Sequence, residues 1–139
     1  MKLLSTTLDV RTPGPGLTDI TPEIAAWLGE ERAHDGQLTL FIRHTSASLV
    51  IQENADPDVL ADLEAFMRRL APREEGLYRH RTEGPDDMPA HIRAALTATT
   101  LAIPVLGGRM MLGTWQGVFV WEHRAAPQRR QVVAQLLAA

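Results

Sequence analysis

No cysteine occurs in the 139 residues. That absence excludes disulfides, thiolate nucleophiles, and zinc or iron–sulfur centres held by cysteine. Long apolar runs are also missing, so nothing approaches the roughly 20 residues that cross a bilayer. Met1 to Asp9 lacks the basic start and apolar stretch of a signal peptide. The expectation is a cytoplasmic protein with no membrane contact. Positive charge is not in surplus either: the net charge is −3, which gives no general attraction to nucleic acid. The local basic runs, Arg68, Arg69 and Arg73 and then Arg129 and Arg130, read as solvated helix and tail surfaces. Absent too are the P-loop, HExxH and GxSxG patterns, so a nucleotide-binding loop, a zincin helix and a hydrolase elbow find no support.

What is present is an ordinary globular composition. With 45% hydrophobic and 22% charged residues, disorder over most of the length is excluded, and the length suits one domain, residues 1–139. Leu3 to Arg11 alternates as a strand does, and Pro13-Gly14-Pro15-Gly16 stops regular structure. Thr21-Pro22-Glu23 predicts a helix start with threonine as cap, Ile24, Trp27 and Leu28 on one face, and an end near Asp35-Gly36. His34 falls at that end, where a helix C-terminus favours its charge.

Leu38, Leu40 and Ile42 mark a strand that delivers His44, and Leu49 to Ile51 mark another that ends at Glu53-Asn54. Asp56-Pro57 opens a helix whose Val59, Leu60, Leu63, Phe66, Met67 and Leu70 predict firm packing on the core. Pro72 to Pro89 is a long polar loop, of the kind that is functional or mobile, and it leads into a short helix from about Met88 to Thr97. Leu101–Leu106, Arg109–Leu112 and Gly117–Trp121 read as strands, with Gly107-Gly108 as a hairpin turn. Gln131 to Leu137 reads as a last strand, with a helix as the alternative. Mixed elements followed by consecutive strands favour a compact α+β domain with largely antiparallel sheets and two to three helices.

Candidate chemistry rests on histidine. His44, His80, His91 and His123 fall at strand ends, in the long loop or at a helix start, where scaffolds place functional groups. Their spacing is no local metal signature, so surface histidines remain the alternative to a shared site. Asp86 and Asp87 precede a helix, and one of them is expected to cap it while the other faces an imidazole or a cation. Glu53 is freer to act than Asp56, the expected cap of the major helix. Thr45-Ser46-Ala47-Ser48 is a hydroxyl-rich stretch suited to holding phosphate. Trp115 reads as packing before it reads as a substrate platform, Gln116 could face a cleft, and Arg109 could serve an anion or blunt an edge strand.

Three runs carry a resemblance: FIRHTSASLVIQENADPDV (41–59), YRHRTEGPDDMPAHIRAAL (78–96) and IPVLGGRMMLGTWQGVFVWEHR (103–124). Together and in this order they closely resemble the YjbQ family, often described as secondary thiamine-phosphate synthase. The resemblance runs from about Leu38 to Arg130. It implies an α+β fold assembled as a homotrimer, with His44, His80 and His91 gathered as metal ligands. The matching positions add Ser46, Glu53, Asp87, Arg109 and Gln116 to His44 as catalytic candidates and Asn54 and Glu122 as substrate-binding ones, beside Thr45, Ser48 and Trp115 from the reading of the residues themselves. His123 matches only one version of the pattern.

The implied activity joins a hydroxymethylpyrimidine diphosphate to a thiazole phosphate, so a small phosphorylated metabolite is the expected partner. The expected cofactor is a divalent metal: three histidines suit zinc or another transition metal, while diphosphate departure ordinarily uses Mg²⁺. Two alternatives stay open. One is a metal-dependent hydrolase of a small phosphorylated metabolite, and the other is a non-catalytic metal or metabolite binder.

Overall fold

The computed structural model describes all 139 residues as eight strands and three helices. In chain order these are β1 (Lys2–Thr12), β2 (Gly16–Asp19), α1 (Thr21–Glu30), β3 (Gly36–Ile42), β4 (Ala47–Glu53) and α2 (Pro57–Leu70). They continue with α3 (Asp87–Leu96), β5 (Thr100–Leu106), β6 (Arg109–Met110), β7 (Gln116–Glu122) and β8 (Gln128–Ala138). A five-stranded sheet in the order β1-β8-β3-β5-β6 faces a three-stranded sheet in the order β2-β7-β4, and every pairing is antiparallel. The fold is α+β, as expected.

The alternation along each strand builds the core between the sheets. Leu38, Leu40 and Ile42 of β3 and Val132, Ala134 and Leu136 of β8 point inward, and they meet Leu49, Val118 and Val120 of the smaller sheet. Ile24, Trp27 and Leu28 of α1 close this core. β7 is buried on both faces. Its Phe119 and Trp121 belong to the opposite parity, and Trp121 reaches α2 by donating its Nε1–H to Glu64 at 2.7 Å.

Four expectations need correction. Thr21 is the first helical residue of α1 and caps nothing; its backbone N–H donates to Asp19, and its hydroxyl accepts the Val118 N–H of β7. α1 stops at Glu30, well short of Asp35, because Arg32 takes a left-handed φ of 51°. His34 therefore lies beyond the helix, and its carbonyl accepts from Gly108 in the β5–β6 turn. β6 is only two residues long.

The fourth concerns α2. Its apolar stripe covers the outer side of the smaller sheet and takes no part in the central core. A three-stranded sheet is too narrow for the whole stripe, so Met67 is buried while Phe66 and Leu70 stay about half exposed. The Asp56 cap is as expected, its carboxylate accepting the Asp58 N–H at 2.9 Å.

Candidate functional site

The strand ends set the site's position. Antiparallel register pairs Ala47 with Glu122 at one end of the smaller sheet and Glu53 with Gln116 at the other. His44, Thr45 and Ser46 lie in the turn from β3 to β4, at the Ala47 end. α3 crosses close by, and the long loop before it brings His80 to the same place.

Asp87 is the centre. It sits in the first turn of α3, not at its cap, and is 1% exposed. One carboxylate oxygen, Oδ2, lies 2.7 Å from His80 Nε2 and 2.9 Å from His91 Nε2. The other, Oδ1, is 2.9 Å from an Arg124 guanidinium nitrogen. Burial pushes this carboxyl upward, but the contacts with His80 and His91 and the Arg124 charge prevail and hold it below the usual range. His91 follows Asp87 by one helical turn, which is why both face the same way.

The second nitrogen of His91 decides what the first can do. Its Nδ1 lies 2.9 Å from the carbonyl oxygen of Thr45, which can only accept, so Nδ1 carries the proton. A neutral ring then presents a lone pair at Nε2, directed at the Asp87 carboxylate. Two electron-rich atoms at that distance need a positive centre between them, either a second ring proton or a cation. One ring nitrogen each from His80 and His91 and a carboxylate oxygen of Asp87 all lie within 4.8 Å of one another. Two imidazoles and a carboxylate, with one imidazole fixed by a backbone carbonyl, are a donor set that fits a divalent transition metal.

Asp86 is held apart from this group. Its carboxylate accepts from Arg124 Nε and from the Ala125 N–H, both at 2.9 Å, and makes no cap. Burial raises its pKa, and the Arg124 hydrogen bond and the Ala125 N–H outweigh that and bring it to about 2. Arg124 thus ties both acids to the end of β7, a link that nothing in the spacing of the sequence suggested.

His44 stands beside the cluster and outside it. Its Nε2 accepts the Gln131 backbone N–H at 2.8 Å, while its Nδ1 faces Arg130 at 3.4 Å. Burial and the Arg130 charge lower its pKa, so the ring is neutral near pH 7. His44 and His91 share a pocket of about 570 Å³, walled by Phe41, Ile42, Ala94 and Ala95 and opened to charge by Arg43. That volume lies in the usual range for small-molecule sites. His80 opens on the other side, onto a smaller cavity with Tyr78 and Arg81.

The two serines of the 45–48 stretch face inward, contrary to the phosphate-holding expectation, while Thr45 is exposed and lines the pocket of His44 and His91. Ser46 is buried and accepts from Arg130, and Ser48 is buried 2.9 Å from His123 Nε2. Glu122, fully buried, receives Arg130 on both oxygens and the Thr12 hydroxyl on one. This buried pair frames the turn from beneath. Arg130 is therefore no surface charge: it occupies the inward parity of β8, alongside Val132 and Ala134. That parity is the signal by which the sequence could have flagged it.

The remaining candidates lie elsewhere. Six steps along β4 carry the chain from Ala47 to Glu53, about 20 Å of strand. At that far end Glu53 accepts the N–H groups of Ala55 and Asp56, Asn54 donates to Thr114 and Gln116, and Gln116 accepts from Gly113. These contacts shape two turns and set Glu53 apart from the histidine cluster within one chain. Trp115 is 64% exposed at the tip and packs on nothing extensive, against expectation. Arg109 is exposed beside the β5–β6 turn, also remote from His44.

With the geometry in place, comparison supplies the family. The family model described as UPF0047 protein YjbQ-like matches residues 6–139. The chain belongs to this YjbQ-like UPF0047 family. A UPF0047 protein of Synechocystis is 53% identical over 93% of this chain and 88% of its own length. The YjbQ of Escherichia coli O157:H7 is 42% identical over 94% of each. The crystal structure of a conserved hypothetical protein from Thermus thermophilus superimposes with a TM-score of 0.86, at 39% identity over 95% of this chain and 99% of that one. Family membership extends the likeness to the N-terminal third, where the three motif runs are silent.

Proposed function

We propose that this YjbQ-like protein is an enzyme acting on small phosphorylated metabolites at a divalent metal held by His80, His91 and Asp87. The reaction assigned first is the coupling of hydroxymethylpyrimidine diphosphate to a thiazole phosphate. The observation that carries this reading is the single Asp87 oxygen facing two imidazole Nε2 atoms, one of which belongs to a ring whose other nitrogen is already committed to a carbonyl. A bound metal would supply Lewis acidity, neutralising charge on a leaving or attacking oxygen.

The chain's own residues do the rest. The apolar wall of Phe41, Ile42, Ala94 and Ala95 would receive a heteroaromatic ring, and Arg43 at the same pocket would face anionic oxygens. In the coupling, the thiazole nitrogen forms a bond to the pyrimidine methylene carbon as the carbon–oxygen bond to diphosphate breaks, and diphosphate leaves with the electron pair. Neutral His44 stands at the pocket as an uncharged polar contact, or as a further ligand after a turn of its ring.

A homotrimer is part of the proposal. Part of the outer face of the larger sheet, across β3, β5 and the later half of β8, presents the uncharged residues Thr39, Phe41, Ala102, Pro104, Gln135 and Leu137, with Phe41 and Leu137 each nearly half exposed, while Asp9, Arg11 and Arg129 put charge at its other end. Such a face suits burial against another copy.

The donor set favours one second reading, hydrolysis of a small phosphorylated metabolite, because imidazoles suit zinc better than the Mg²⁺ that usually assists diphosphate departure. Incubating the metal-loaded protein with both thiamine precursors separates the readings. Thiamine phosphate and diphosphate in equal amounts, lost in Asp87→Asn and His91→Ala, support coupling. Phosphate release without coupled product supports hydrolysis, and no turnover with tight metal binding leaves a binding protein.

A further inference from the structure

On another side of the same end of the smaller sheet, a crevice of about 360 Å³ opens between α2, the chain that follows it, α3 and the end of β7. Its polar lining is Glu64, Arg68, Arg73, Arg93 and His123, and it has no hydrophobic wall. Three of these side chains are more than nine-tenths buried: Glu64 is 9%, Arg93 6% and His123 2% exposed. Each keeps one buried atom without a partner, namely Glu64 Oε1, Arg93 Nε and His123 Nδ1. No other buried side-chain nitrogen or oxygen in the protein is left so.

Each of the three side chains is anchored through another atom. Glu64 Oε2 accepts from Trp121 at 2.7 Å, Arg93 donates to the Ala71 carbonyl at 2.9 Å, and His123 Nε2 lies 2.9 Å from Ser48 Oγ. The three side chains are thus held in place, each with a buried polar atom left over, and all line one crevice. Folds ordinarily satisfy buried polar atoms, so three exceptions around a shared space point to a shared partner.

The chemistry of that partner follows from the lining. It must accept from the Arg93 Nε–H and donate to Glu64 Oε1. Three guanidinium groups against one carboxylate leave the crevice positive, so the complement is an anion. Burial and the nearby Arg93 charge lower the His123 pKa to about 3, so the ring is neutral and adds no charge. Among tetrahedral anions, hydrogen phosphate has both accepting oxygens and a hydroxyl, whereas sulfate has the shape and nothing to donate.

We propose that this crevice is a second binding site, built for a hydrogen-phosphate group, either inorganic phosphate or the phosphate end of a small ester. Arg68, Arg73 and Arg93 donate to its oxygens, and Glu64 accepts from its hydroxyl. The site shares no residue with the pocket of His44 and His91. Its success or failure is therefore separate from the reading of the histidine end.

The test titrates inorganic phosphate, sulfate and glycerol 1-phosphate into the His80→Ala/His91→Ala protein by calorimetry, at constant ionic strength. Both changed side chains are about one-third exposed, and they disable the histidine end. Phosphate is expected to bind at least about tenfold more tightly than sulfate, because sulfate leaves Glu64 unpaired. Arg68→Ser and Arg73→Ser, both at exposed positions, are expected to weaken phosphate about three- to tenfold each with an unchanged Tm. Glu64→Gln replaces an acceptor with an N–H donor, and it should bring sulfate to within about twofold of phosphate. Glycerol 1-phosphate binding as tightly as phosphate assigns an ester, and exclusion of the ester assigns the free ion. Equal binding of phosphate and sulfate to the parent, indifference to both rim substitutions, or no phosphate binding overturns the proposal.

Discussion

Acid should unfold this protein partly through one histidine. His123 is 2% exposed, and burial, with the neighbouring Arg93 charge, lowers its pKa from 6.5 to about 3. Between those values the unfolded chain takes up a proton at this residue that the folded chain refuses. Stability therefore rises with pH across the window and is lost as pH falls below 6.5. Linkage puts the loss between pH 7 and pH 5 at about 2 kcal/mol, growing to about 4 kcal/mol near pH 3. His44 acts in the same direction, so the measurement must isolate His123.

His123→Gln does so, because the amide can still meet Ser48 and does not titrate. Urea unfolding of both proteins, at matched concentration and at pH 7, 6 and 5, gives the difference directly. Wild type should lose about 2 kcal/mol more than the variant over that range. Parallel curves, with a difference below about 0.5 kcal/mol, would show that the His123 ring is reached by solvent or finds a partner when charged.

Other outcomes follow from the same frame. Arg130→Met leaves the Glu122 carboxylate buried with its principal partner gone, so it should cost about 3–5 kcal/mol in chemical denaturation, and adding Glu122→Gln should return part of that loss. A methyl group on Gly36 would come within 2.5 Å of the Leu137 carbonyl in the adjoining β8, so Gly36→Ala should lower stability by about 1–3 kcal/mol through displaced strand backbone. Light scattering coupled to gel filtration should report three chains per particle, and Phe41→Asp should dissociate them; a wild-type monomer would contradict the proposed assembly.

Much of the fold was legible because alternation is a strong signal when one face is buried. β3 and β8 declare their inward residues by parity, and Asp56-Pro57 marks the start of α2 by cap and proline. What escaped depended on tertiary partners. Thr21 resembles a cap, but its hydroxyl serves β7, and Asp19, the nearer acid, takes the helix N–H. α2 has a stripe wide enough for a core helix, yet the sheet beneath it is narrow.

At the site, the sequence ranked histidines by position in loops and strand ends. Position singled out His44, His80, His91 and His123 without joining them; the family resemblance implied that His44, His80 and His91 gather, and the structure instead groups His80 and His91 with Asp87 and leaves His44 beside them. The sequence could not distinguish Asp86 from Asp87, because the arginine that separates their roles, Arg124, lies 37 residues beyond Asp87 in the chain. Nor could it tell a phosphate-holding serine from one turned inward to Arg130 or His123.

The central claim is that His80, His91 and Asp87 hold a divalent metal. Elemental analysis of the purified protein, with the His80→Ala, His91→Ala and Asp87→Asn variants prepared in parallel, tests it most directly. The account predicts about one equivalent of a transition metal per chain in wild type and its loss in each variant. Metal-free wild type that takes up no zinc, or metal content untouched by all three substitutions, would contradict it.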